Sequence, residues 1–309
     1  MWNVERITTY QQITAQSAKA FAVDWEEWHS GRKERLIAPH GWLSLRSIDW
    51  LQEGVDKSIE GFPGTFRQEG NNVIYTPEPG KNVVNKGKVI TESKTISVPQ
   101  VADFNVEDFD FGEIRAQLIK RISDTRAFAV RIRDPHSAAI ENFAGIPHYD
   151  PDQKWVFPAR YVPRATWESS VVDAVVGDLS HDETTIGTLY VTIAGLEFPL
   201  TVFQGHNDHS GLMTTDDSGN EIYLDNRTDT EDIAFVLFKD KTSGKETYGG
   251  ARALTFNIHE PAQVSYVDFN RAWNLPCAFT AYCTCPFSPQ ENTLPIPILA
   301  GEKTPEHQY

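Results

Sequence analysis

The chain has 309 residues, of which 40% are hydrophobic and 23% charged, as expected for a folded globular protein of one large or two moderate domains. Its formal net charge of -15 repels polyanions, so neither nucleic acid nor an anionic membrane surface is an expected partner. No apolar run reaches the length of a membrane span, about 18 residues or more.

The start, M-W-N-V-E-R-I-T-T-Y-Q-Q, lacks a basic stretch followed by an apolar one, so no secretory signal is expected. Residues 14–36 read as helix: Phe21, Trp25 and Trp28 recur at helical spacing, with Ala18 and Ala22 on the same face. An apolar segment over 41–51 follows. Turn chemistry then recurs at Phe62-Pro63-Gly64, Glu69-Gly70-Asn71-Asn72, Pro77-Glu78-Pro79-Gly80 and Asn85-Lys86-Gly87. The runs between these turns (73–75, 88–91, 95–98) are strand-like, which predicts a small β unit. Residues 114–122 fit a strand or a short helix, and 126–132 alternate as a strand. The stretch 142–163 carries Pro147, Pro151, Pro158 and Pro163 and reads as loop.

From position 171 onward hairpins follow one another. The expected pairs are 188–193 with 198–203, 212–215 with 221–224, and 253–258 with 264–269; 233–239 is a further strand. This spacing predicts a mainly β protein, an antiparallel barrel or sandwich with an N-terminal helix and a small accessory β unit. The expected organisation is an N-terminal helical segment (1–38), a small β unit (39–110) and a main antiparallel domain carrying the site (111–309).

Several catalytic signatures are absent: G-x-S-x-G, the Walker loop, G-x-G-x-x-G and H-E-x-x-H. No motif names a cofactor. Cys277, Cys283 and Cys285 are spaced C-x5-C-x-C, without the paired C-x-x-C of a zinc site, so no metal is expected. Three clustered cysteines are no extracellular disulfide framework either, and a reducing cytoplasm is the expected location; the Asn226 sequon then has no consequence. Cys277 has Arg271 nearby in sequence, which makes it a candidate nucleophile. His206 and His209 read as a solvated hairpin tip, and Asp216-Asp217 as a tight turn.

The arginines carry more weight. Arg131, Arg133, Arg160, Arg252 and Arg271 end or follow strand-like runs beside aromatic residues or proline. Such placements serve either internal pairing, with Asp134, Asp268 and Glu302 as candidate partners, or capture of an anion. In Tyr248-Gly249-Gly250-Ala251-Arg252 the glycines permit close backbone approach. The segment 267–286 (V-D-F-N-R-A-W-N-L-P-C-A-F-T-A-Y-C-T-C-P) sets Asp268, Asn270, Arg271 and Asn274 among large apolar residues. Polar groups so placed need a satisfied network or a ligand.

Three groups of motifs together resemble an uncharacterised bacterial and archaeal family, domain of unknown function sixteen eighty-four. They are G-W-L-S-L-R-S-I-D-W-L-Q-E-G (41–54), T-S-G-K-E-T-Y-G-G-A-R (242–252), and a C-terminal set. That set comprises D-F-N-R-A-W-N-L-P-C-A-F (268–279), C-P (285–286), E-N-T-L (291–294) and A-G-E-K (300–303). Two departures stand out: Leu275-Pro276 replaces a pair of prolines, and Cys283 stands where a small residue is usual. The resemblance brings no activity. It implies that Tyr248, Arg252, the 268–277 segment, Asn292 and Glu302 belong to the common structure.

The expected function is an enzyme, hydrolase-like, acting on a small anionic molecule. Arg252, Arg271 and Arg133 would bind the anion, and Asn270 and Asn292 would position it. Asp268 would act as base or orient Arg271, Tyr248 would donate to a developing oxyanion, and Cys277 is the candidate nucleophile. Two alternatives stand beside it: a non-catalytic barrel binding a small ligand or a flavin, and an interaction protein with a paired polar core. A homodimer is left open.

Overall fold

The computed structural model describes residues 9–98, 105–123, 127–205, 213–215, 221–223, 233–258 and 260–306. His206, His209, Asp216, Asp217 and Asn226 lie outside the described residues.

A short helix, α1 (Tyr10–Thr14), precedes the principal one, α2 (Ala18–Leu36). Ser17 caps α2 by accepting from the Ala20 amide at 3.2 Å, satisfying a donor that has no intrahelical partner. The buried residues of α2 are Phe21, Trp25, His29, Arg32 and Leu36, a single stripe at helical spacing. Trp28 is only half-buried, and two polar side chains, His29 and Arg32, continue the stripe that Phe21 and Trp25 begin.

Ten strands follow: β1 (Leu45–Trp50), β2 (Lys57–Ile59), β3 (Phe62–Glu69), β4 (Asn72–Thr76), β5 (Val84–Asn85), β6 (Lys88–Val89), β7 (Lys94–Ser97), β8 (Asn105–Phe111), β9 (Ile114–Lys120) and β10 (Phe128–Arg133). They form a four-stranded sheet, β2-β3-β4-β7, and a six-stranded one, β1-β10-β9-β8-β5-β6. The two sheets enclose one core. Phe62, Phe66, Val73 and Tyr75 from the first meet Phe109, Leu118, Phe128 and Val130 from the second. The segment that fitted strand or helix is strand β9, and it pairs with β8 on the other side of Gly112, so residues on either side of position 110 share one sheet. Alternation along β10 sends Phe128, Val130 and Ile132 into this core and turns Arg131 and Arg133 to the opposite face, where both are buried.

After α3 (Ala138–Glu141), the chain builds a seven-stranded antiparallel sheet in the order β18-β11-β12-β13-β16-β17-β19. Its strands are β11 (Val156–Asp173), β12 (Ser180–Ile193), β13 (Leu196–Gln204), β16 (Ile233–Phe238), β17 (Arg252–Asn257), β18 (Tyr266–Asp268) and β19 (Trp273–Asn274). A separate hairpin pairs β14 (Met213–Thr215) with β15 (Glu221–Tyr223). One face of the large sheet covers a core that the C-terminal residues Leu294, Ile298 and Ala300 complete. None of the described sheets closes on itself, so the architecture is sandwich-like rather than a barrel.

One stretch read as loop is strand. β11 begins at Val156, inside the proline-punctuated region, and runs through Pro158 and Pro163. Pro158 pairs with Tyr266, the first residue of β18, and Pro163 sits at a break in register with β12. Each proline occupies an end or a bulge, where its missing N–H interrupts no continuous ladder. The expected strand 264–269 is shortened to Tyr266–Asp268: a 3-10 turn at Pro261–Gln263 comes before it and another begins at Phe269. Among the described residues, no helix is long and apolar enough to cross a membrane.

Candidate functional site

The residues singled out in the sequence fall in separate neighbourhoods, most of them internally satisfied. Asp268 Oδ1 accepts from the backbone amide and side chain of Asn270 at 2.9 and 2.8 Å. The Asn270 side chain also exchanges two hydrogen bonds with the backbone of Asp152. Burial holds the Asp268 carboxyl above its ordinary range, although the Arg271 charge opposes this. Arg271 lies 3.7 Å from Asp268 and also pairs with Asp24 of α2.

Arg252 is 1% exposed and pairs with Asp240 at 2.7 Å, while also donating to the carbonyls of Ala300 and Ile298. Asn292 is buried between two strands, where it donates to Thr201 O and Leu237 O and accepts from the Thr201 amide. Arg133 donates to the carbonyls of His40 and Gly41 and to Gln117 Oε1. Tyr248 packs on the cysteine cluster and on Phe279, and burial raises its hydroxyl pKa. The close approach expected at the double glycine is internal. A Cβ on Gly250 would lie 2.5 Å from the Tyr248 ring. Of the candidate internal partners, Asp268 does face Arg271, whereas Asp134 pairs with Arg46 and Glu302 with Arg32, and Arg160 pairs with Glu197. These arrangements anchor chain segments to one another.

A cleft of about 340 Å³ opens elsewhere, between α2, the 143–148 loop, Phe279 and the C-terminal residues Pro305 and Glu306. That volume is within the range of small-molecule sites, roughly 300–1,000 Å³. His29 and Lys33 from α2 and His148 from the loop supply its polar wall, and Phe143 and Phe279 much of its apolar wall. His29 is 2% exposed, and neither ring nitrogen has a hydrogen-bond partner. Its ring stacks on Trp25 with centroids 4.6 Å apart, and the His148 ring meets it edge-on at 4.7 Å. Trp25 is held by its own bond from Nε1 to Asn270 O at 2.8 Å.

His148 Nδ1 is 3.0 Å from the Tyr149 carbonyl oxygen. A carbonyl only accepts, so Nδ1 carries a proton. Behind the cleft Arg32 bonds Glu302 at 3.0 Å and the Asn274 carbonyl at 2.6 Å, and lies over the Trp273 ring at 4.8 Å. Glu302 also accepts from the Asn274 amide at 2.6 Å. This closed network fixes α2 against the C-terminal segment and thereby sets the cleft's width.

The His29 pKa is pushed down to about 3, first by burial, then by His148, Lys33 and Arg32. The ring is therefore neutral at neutral pH, with one N–H donor and one bare nitrogen, in a positive local field. Sequence reasoning passed over His29 and His148. The usable signal was the α2 stripe, because a histidine four residues after Trp25 falls where an apolar residue is expected. Among the described residues, no group of three or more His, Cys, Asp or Glu side chains is arranged to hold a metal ion.

Fold and cleft together define a mainly antiparallel β protein with a helix-walled recess. The family described as "Protein of unknown function (DUF1684)" matches residues 141–303, more than half of the chain, and the chain belongs to that family. The match includes the 143–148 loop and Phe279, whereas His29 and Lys33 come from outside it. A comparison with curated proteins finds no match. Among solved structures, the chain is similar to an uncharacterized protein of Haloarcula marismortui determined by solution NMR. The two are 26% identical, with 54% of this chain and 80% of that chain covered and a TM-score of 0.38.

Proposed function

We propose that this protein binds a small anionic ligand in the His29–His148 cleft. The observation that carries the reading is His29: a buried imidazole with two unpartnered nitrogens, on a residue that lines a recess. Leaving a buried polar atom unpaired costs about 1–3 kcal/mol, and a ligand that offers both an acceptor and a donor relieves it. The surrounding charge selects the sign. Lys33 and Arg32, which disfavour a proton on His29, favour an anion beside it, offset in part by Glu302, which pairs with Arg32, and by the Glu306 carboxylate in the lining. A hydroxycarboxylate or a partly protonated phosphate fits both demands.

Binding is preferred over acid–base catalysis for a specific reason. A general base works best with a pKa near the working pH, and His29 lies far below it. The expected base, Asp268, is already engaged by Asn270 and Arg271.

The test is NMR of the histidine ring resonances during titration with glycolate and with inorganic phosphate, at constant ionic strength held by chloride. Saturable shifts at His29 and His148 are expected with at least one probe. Affinity should fall at least about tenfold, or 1.4 kcal/mol, in His29→Phe and in Lys33→Met. Titrations that leave both rings unmoved, or that the two variants do not weaken, would remove the cleft as a ligand site.

A further inference from the structure

A second cluster lies apart from the cleft, where the outer face of β10 meets the C-terminal segment. Cys277, Cys283 and Cys285 are buried thiols packed with Leu45, Leu237 and Ala253. The Cys277 amide donates to Cys285 Sγ at 3.3 Å, and the Cys285 amide donates to Cys277 Sγ at 3.1 Å. Cys283 packs in the same buried cluster. Three cysteine side chains thus share one buried cluster, across a C-x5-C-x-C spacing that showed no pairing by itself.

Arg131 supplies an independent observation. It is 1% exposed, and its Nη2 bonds Thr284, the residue between Cys283 and Cys285, at 3.3 Å. Its Nε and Nη1 have no hydrogen-bond partner. A buried guanidinium with two unpartnered donors favours negative charge beside it. Of three thiols in mutual contact only one ionises readily, because a second charge at that distance is repelled. Burial opposes ionisation of Cys283, but the contacts from Cys277 and Cys285 and the charges of Arg131 and Arg133 outweigh it and lower its pKa, whereas the pKa values of Cys277 and Cys285 are raised.

We propose that this trio is a redox site in which a hydroperoxide oxidises Cys283 and Cys277 resolves it to a disulfide. The Cys283 thiolate attacks the terminal peroxide oxygen. An S–O bond forms, the O–O bond breaks, and the departing oxygen takes a proton and leaves as water or an alcohol. The Cys277 sulfur then attacks the Cys283 sulfur. The S–S bond forms, the S–O bond breaks, and hydroxide leaves with the Cys277 proton as water. Two electrons pass from the thiol pair to the peroxide. Closure between Cys277 and Cys283 is chosen because the adjacent C-x-C pair would close a strained ring, whereas five intervening residues relieve it.

The test treats the native full-length chain with hydrogen peroxide, then counts thiols after denaturation and maps peptides. Two of the three thiols should disappear with a mass loss of about 2 Da, restored by dithiothreitol, and the linked peptides should contain Cys277 and Cys283. Oxidation should slow at least about tenfold in Cys283→Ala, as expected when the reacting thiolate is removed. Cys277→Ala should accumulate a sulfenic acid at Cys283 that dimedone traps. The site is refuted if the native wild-type chain keeps three thiols until urea unfolds it, a result that depends on no variant. It is also refuted if Cys283→Ala oxidises as fast as wild type, or if dimedone marks Cys285 instead.

Discussion

His29 is buried at a position where helical spacing calls for an apolar side chain, and its two nitrogens find no partner in the protein. That arrangement has a thermodynamic signature. The folded ring resists protonation down to about pH 3, whereas in the unfolded chain it takes up a proton near its ordinary 6.5. Between those values the unfolded state binds a proton that the folded state does not. Stability from this residue is therefore present above about pH 6.5 and is lost as the pH falls toward about 3. Urea midpoints at about pH 7 and about pH 5 should give a loss on acidification that is greater in wild type than in His29→Phe by up to about 2 kcal/mol. Equal losses in the two proteins would mean that the folded ring accepts the proton. A filled cleft should shift the window upward, because an anion beside the ring stabilises its protonated form.

At the scale of elements, β11 and β12 form the longest strand pair, and their packing rests on a glycine. Tyr161 lies over Gly187, and its hydroxyl donates to the Ile186 carbonyl at 3.0 Å. A Cβ at position 187 would approach the Tyr161 ring to 2.4 Å, too near to fit without displacement. Gly187→Ala is expected to cost about 1–3 kcal/mol, the usual range for overpacking, with the penalty reduced in a Tyr161→Leu background. Chemical denaturation of the four proteins in the cycle measures this coupling. The same strands show why pattern reading has limits. The expected segments 188–193, 198–203, 233–239 and 253–258 fall on β12, β13, β16 and β17, so these strands were legible at least in part. β11 was hidden by Pro158 and Pro163, because only the neighbouring strands reveal that each proline stands where the ladder already ends or shifts.

Across the whole molecule, contacts far apart in sequence hold the recess. Arg32 and Glu302 are 270 positions apart and meet at 3.0 Å, with side chains 8% and 1% exposed. Removing one partner strands the other charge in a dry site. Glu302→Gln should therefore destabilise the fold by about 3–5 kcal/mol. The double variant Arg32→Met, Glu302→Leu should lose less than the sum of the two single changes. Denaturation midpoints decide this. Additive losses would mean that the pair contributes through packing alone.

What the sequence by itself determined was local: an N-terminal helix with an apolar stripe, a run of antiparallel strands divided by turn residues, and motifs characteristic of one family. These follow from periodicity and turn chemistry, which act over a few neighbouring residues. It also marked Asp268, Asn270, Arg271 and Asn274 as polar groups in apolar surroundings, and Arg252 as an arginine beside a strand-like run. Their partners were decided only by the tertiary structure. Arg252 finds Asp240 and the carbonyls of Ala300 and Ile298, while Asn270 finds the backbone of Asp152. The recess was decided there too, since His29 and His148 share no local pattern and meet through long-range contacts, Arg32 with Glu302 and Trp25 with Asn270 among them, that dock α2 on the C-terminal segment. A buried polar residue announces a need for a partner, but the long-range packing that supplies the partner, or leaves it to a ligand, depends on the whole chain.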